Sequence, residues 1–193
     1  MANLNAPNGF SPVKQRTGAP FNNQINAYYV PATDGTAIGI GDVVKLAAGT
    51  TFDAPSNQNL KNVTRLTTPA TDVPVGVVVG FNFNPDNLMQ KGRAANTARI
   101  VYVADSPETL FAAQSDATGI AAANIGLNAT ITVGTVDAVT GVTNAVVTGP
   151  AATATLPLEL VGFDTTQKNE TGPYARVLVR FNKHQYVTGT TGV

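Results

Sequence analysis

Few side chains in this 193-residue chain can do chemistry. It has one histidine, His184, and no cysteine. A catalytic histidine needs a nucleophile and an orienting carboxylate within hydrogen-bond reach. His184 follows Lys183 at the end of an alternating segment, outside any recognised Ser–His–Asp pattern, so a surface or contact role is expected. Without thiols there is no disulfide and no cysteine-held zinc or iron–sulfur site. Asp34, Asp42, Asp72 and Asp105 fall at the ends of expected strands. A calcium loop takes its carboxylates at alternating positions, and no Asp-x-Asp-x-Asp run occurs, so these residues read as turn caps. Gly39-Ile40-Gly41 resembles the start of a phosphate loop, but that loop needs a helix behind it and none follows. A glycine-flexed strand or bulge is the better reading. The residues call for no cofactor and no metal, and an enzyme is not expected.

The charges narrow the partners. Lys+Arg and Asp+Glu are both 12, giving zero formal net charge. Nucleic-acid binders draw affinity from neutralising phosphates and carry a basic excess, so no nucleic-acid partner is expected. Lys91 and Arg93, near Arg99, are the densest basic cluster, and residues 100–167 contain no Lys or Arg at all. The pair reads as a solvated loop or as a contact for an acidic patch on a protein. Only 12% of residues are charged, about half the usual share. The stretch 117–158 holds one charge, Asp137, which fits either a protein-covered surface or a Thr-coated sheet. No run approaches the length of a membrane helix and no signal-peptide pattern opens the chain, so a soluble protein made in the cytoplasm is expected.

Strands must position these residues. Residues 1–22 are rich in Pro, Gly and Asn, which break helices. Phe10 and Phe21 interrupt them. This predicts an extended arm, at most ~75 Å long, that docks its aromatics on something. Strands are expected at 24–30, 38–47, 73–83, 97–104, 128–133, 154–163 and 175–183, with a hairpin over 136–148 turning at Thr140-Gly141. Residues 48–71 read as irregular and 84–96 as a loop. Short helical pieces are expected only within 107–125, and Pro157 predicts an edge position or a bulge for its strand. Short strands broken by turns, with no room for crossover helices, imply an all-β sandwich, jelly roll or barrel. The expected organisation is an arm at 1–22, a β domain at 23–187 and a surface tail at 188–193.

The order of several motifs resembles the capsid cement, or decoration, proteins of tailed bacteriophages. The opening MANLNAPNGFSPV runs from Met1 to Val13 and leads to Tyr28-Tyr29-Val30-Pro31-Ala32-Thr33-Asp34. Next come Gly39-Ile40-Gly41-Asp42-Val43-Val44-Lys45 and Val75-Gly76-Val77-Val78-Val79-Gly80-Phe81. The series continues with Ala98 to Pro107 (ARIVYVADSP) and ends at Asn182-Lys183-His184-Gln185. The 135–155 region departs most from the pattern. The resemblance implies a jelly-roll-like fold and no catalysis. It also implies a homodimer at shell two-folds, on the outer surface of the capsid, bridging neighbouring major capsid protein subunits. Phe10, Pro12, Phe21, Tyr28, Lys91 and Arg93 are the expected capsid contacts, with Phe10 and Phe21 as the arm's anchors. Other readings are a head-fibre base, a tail or adaptor protein, or a carbohydrate-binding β-sandwich; against the last, the chain has no Trp.

Overall fold

The computed structural model describes residues 3–53, 58–85, 87–165 and 168–187. The expected tail at 188–193 lies outside the described residues. The strands in chain order are β1 (Ser11–Gln15), β2 (Asn26–Val30), β3 (Val43–Asp53), β4 (Gln58–Arg65), β5 (Gly76–Phe81) and β6 (Arg99–Ala104). They continue with β7 (Thr109–Gln114), β8 (Asn128–Thr132), β9 (Val146–Ala151), β10 (Leu158–Phe163) and β11 (Arg176–Phe181). The chain is all-β, a sandwich/barrel fold. Five strands close into a barrel in the order β2-β4-β3-β5-β6, and six form a sheet in the order β1-β7-β11-β10-β8-β9. The barrel pairings are antiparallel except β2 with β4, which run parallel and meet at Tyr29 and Asn62.

Alternation along the strands builds two apolar cores. Successive side chains on a strand point to opposite faces. Val44, Val78 and Val103 therefore enter the barrel with Tyr28, Val30, Val63 and Val101. Their immediate neighbours Val43, Val77 and Ala104 point outward, into a second core shared with Phe111, Leu158, Leu160, Val177, Val179 and Phe181 of the open sheet. β7 is buried along its whole length. That strand replaces the first helical piece expected in 107–125; β-branched and aromatic neighbours on both faces outweigh a weak helix-start signal. The second piece is one 3-10 turn, Ala122–Asn124. Residues 48–71 are also more regular than expected, because β3 and β4 pair as a long hairpin from Val44–Arg65 out to Asp53–Gln58. β10 is an interior strand between β11 and β8. Pro157 stands just before it and leaves the ladder intact, while the register shift falls between Leu160 and Gly162.

Residues 3–22 do not reach away from the domain. Gln114 Nε2 donates to the Leu4 carbonyl at 2.7 Å, and its Oε1 accepts from the Ala6 amide at 3.0 Å. The Phe10 amide donates to the Gly41 carbonyl at 3.0 Å. Gly9 and Gly41 both have positive φ (69° and 88°), and a Cβ on Gly9 would lie 2.8 Å from the Gly41 oxygen. Glycine is required on both counts. β1 then pairs with β7 as an edge strand, with an irregularity between Pro12 and Lys14, where Pro is tolerated. Phe10 is 2% exposed and sits in the shared core, with Phe21 half-buried against the same cluster. The arm therefore docks its aromatics on its own domain, and Phe10 is a core residue, not an external anchor. Replacing it with Ala should cost about 3–5 kcal/mol of stability. Urea unfolding checks this: the midpoint should fall with an unchanged slope, whereas a free anchor would leave it in place.

Candidate interaction surface

The loop between β5 and β6, residues 82–98, carries Asn82, Asn84, Asn87 and Asn96 with Pro85 and Gly92, turn-forming residues whose backbone is not paired in a strand ladder. Arg99 satisfies part of it instead, and Arg93 ties the loop to the β2–β3 connection. Arg99 opens β6 and donates through Nη2 to the carbonyls of Asn82 (3.1 Å) and Gln90 (3.0 Å), and through Nη1 to that of Gly92. Its guanidinium lies 5.0 Å from the Phe81 ring centre. Arg93 crosses to the β2–β3 connection. It donates to the carbonyls of Pro31 (3.0 Å), Asp34 (2.7 Å), Thr36 and Thr97 (2.8 Å), and faces Asp34 Oδ1 at 3.4 Å. Its side chain is fully buried. Burial pulls both guanidinium pKa values down, and for Arg93 the Asp34 carboxylate opposes the shift. A guanidinium is not deprotonated in proteins, so each arginine remains a cation.

A second turn leans on this loop. Asp137 Oδ1 accepts the amides of Val139 (2.7 Å) and Thr140 (2.8 Å), and these bonds hold its carboxyl below the usual range. Gly141 follows with φ of 72°. A Cβ there would stand 2.6 Å from Lys91 Cβ and 2.8 Å from the Gly92 nitrogen. The turn and the loop wall a cleft of about 430 Å³ lined by Ala37, Met89, Lys91, Val136 and Ala138. At this end of the barrel Phe83, Leu88, Met89 and Val139 are 71, 70, 79 and 78% exposed. Large apolar side chains displayed on a braced scaffold are a feature of docking surfaces.

The expected contact residues separate. Lys91 is exposed on this loop. Arg93, two residues on, is buried and holds the loop from beneath, contrary to its reading as a solvated or partner-facing cation. Tyr28 is buried; its hydroxyl donates to Asp105 Oδ2 at 2.6 Å and lies 2.9 Å from that of Tyr186. Burial first, then these bonds, raise the phenol pKa. Pro12 is half-buried in edge strand β1. His184, expected at the surface, is 2% exposed. Phe83, Leu88, Met89 and Val139 were missed, although three of them stand in a polar stretch with no strand alternation to bury them. The aspartates act largely as turn caps: Asp34 accepts from Thr36, Asp42 from Gly39, and Asp72 from Thr67 and Thr68. Among the described residues no group of three or more His, Asp or Glu side chains could hold a metal ion.

No protein-family model, curated protein or solved structure matches this chain.

Arg93→Gln removes the cation and most of its five bonds, leaving the part-buried carbonyls of Pro31, Asp34, Thr36 and Thr97 without this donor. It should destabilise the protein by about 3 kcal/mol. Trypsin cleavage after Lys91 should accelerate at least about tenfold, since local opening sets the access. An unchanged cleavage rate would show that the loop is held by other means.

Proposed function

We propose that the chain is a structural, non-enzymatic protein of a tailed-phage virion. In this reading it docks on the outer surface of the head, bridges neighbouring major capsid protein subunits and stabilises the expanded shell. The observation that carries the proposal is the braced loop, with Phe83, Leu88 and Met89 held out to solvent beside Val139 of a second turn. The ordered series of motifs from Met1 to Gln185 points to the same role. Zero net charge suits a protein on the outside of a shell, away from packaged DNA. A homodimer on a shell two-fold presents one patch twice, and two linked weak contacts bind as one strong one through effective concentration. Binding only the expanded shell stabilises it by mass action.

Rigid display matters for this work. A loop already fixed by Arg93 and Arg99 loses little conformational entropy on docking, so more of its contact energy appears as affinity. The experiment is co-sedimentation with shells of the same phage's major capsid protein, before and after expansion. The wild-type chain should saturate expanded shells at a fixed ratio. The triple variant Phe83→Ser, Leu88→Ser, Met89→Ser should bind at least about 100-fold more weakly, as loss of interface anchors does. Its melting temperature should hardly move, because all three side chains are exposed. Equal occupancy by the triple variant would remove the loop from the interface. No binding by the wild type would remove the decoration reading itself.

A further inference from the structure

After β11 the chain leaves the open sheet and crosses to the barrel. The amides of Asn182 and Lys183 donate to the Pro157 carbonyl at 2.8 and 3.4 Å, on the sheet side. The Gln185 amide donates to the Pro74 carbonyl at 3.0 Å, on the barrel side. Tyr186 then reaches Tyr28, hydroxyl to hydroxyl at 2.9 Å, while Lys61 Nζ lies 4.8 Å from the centre of its ring. Residues 182–187 thus form a strap between the two halves of the fold. His184 is its midpoint, with its ring centre 5.9 Å from that of Phe181 and 5.7 Å from that of Tyr186.

The hydrogen bonding of this ring sets its charge. Nδ1 accepts the Tyr186 amide at 3.2 Å, so Nδ1 carries no proton and Nε2 must. Nε2 is buried and makes no hydrogen bond of good geometry, although the Val75 and Asp105 carbonyls lie close enough to favour a proton on the ring. A second proton can go only to Nδ1. There it would point at the amide that Nδ1 now accepts, setting two donors face to face, and would place a charge in a site closed to water. We propose that His184 is an acid-sensitive catch, whose protonation frees residues 185–187 from the barrel and uncovers Tyr28 and Asp105.

The charged and titratable groups around the catch are few. Asp105, at the end of β6, attracts an imidazolium, and the backbone carbonyls of Val75 and Asp105 favour it; burial outweighs them and lowers the imidazole pKa. The Asp105 carboxylate is already engaged by Asn26 Nδ2 and the Tyr28 hydroxyl. Tyr28 on β2 and Tyr186 on the strap are neutral phenols, and Lys61 on β4 is a cation that disfavours a second one nearby. The sign follows from linkage. The closed strap holds His184 below its ordinary pKa, and the open strap lets it titrate near about 6.5. The closed form is therefore fully favoured above that value and loses ground as pH falls through it. Each pH unit multiplies the open fraction by up to about tenfold until the closed form also takes the proton.

Because the chain has one histidine, its Cε1 proton gives a single NMR signal to follow from pH 8 to 4. Amide hydrogen exchange of residues 185–187, corrected for intrinsic rates, follows the strap over the same range. The expected result is closed-state titration below the ordinary histidine value, with protection at 186 and 187 falling up to about tenfold per pH unit under about 6.5. His184→Gln and His184→Phe should both abolish that dependence above pH 5. Titration at the ordinary value with protection intact would overturn the proposal. So would variants that open with the wild-type pH profile, since Asp105 remains in both.

Discussion

Pleating on β3, β5 and β6 is the constraint from which the architecture follows. Each strand carries two adjacent apolar residues, Val43-Val44, Val77-Val78 and Val103-Ala104, and the backbone must send them to opposite faces. One member of each pair fills the barrel and the other covers the open sheet. The three strands are therefore buried on both sides at these positions. Neither half of the fold can keep its apolar surface from water without the other. Each buried aliphatic side chain contributes roughly 1.5–3 kcal/mol relative to exposure, so the joint between barrel and sheet is stabilised along with the cores themselves.

The joint is closed at both ends by segments that look peripheral in the sequence. The N-terminal stretch seats Phe10 between the halves and then adds β1 to the edge of the open sheet. The C-terminal strap runs from Pro157 to Pro74 with His184 packed beneath it. These segments pack tightly yet keep their polar groups paired, through Gln114 for the first and the Tyr28–Asp105–Asn26 network for the second. His184 is the weak point, because Nε2 makes no hydrogen bond of good geometry where the ring is turned to accept the Tyr186 amide.

Arg93 and Arg99 solve a different problem. A long connection between β5 and β6 cannot bury its carbonyls without donors, and a guanidinium offers five in a fixed fork. Arg93 gathers carbonyls from two separate segments, the β2–β3 connection and its own loop, with Asp34 beside it to offset the charge. Arg99 satisfies loop carbonyls from below while Phe83, Leu88 and Met89 stay exposed among polar neighbours.

Sequence alone determined the all-β class, through the period-two apolar pattern and the scarcity of helix signals. It located most strands, since Val, Ile and Tyr runs bounded by Gly, Pro and Asn have few other uses. It also determined what chemistry is missing, because a side chain that is not encoded cannot act. Tertiary structure decided where single residues ended up. Lys91 and Arg93 are two apart and both cationic, yet one is exposed and the other fully buried, a difference set by carbonyls some 60 residues earlier in the chain. Thr109–Gln114 has no strong local preference and became a strand because pairing partners and apolar neighbours on both faces were waiting for it. Phe10 and His184 look solvent-facing among polar neighbours. Their burial depends largely on segments distant in the chain, which no local pattern encodes.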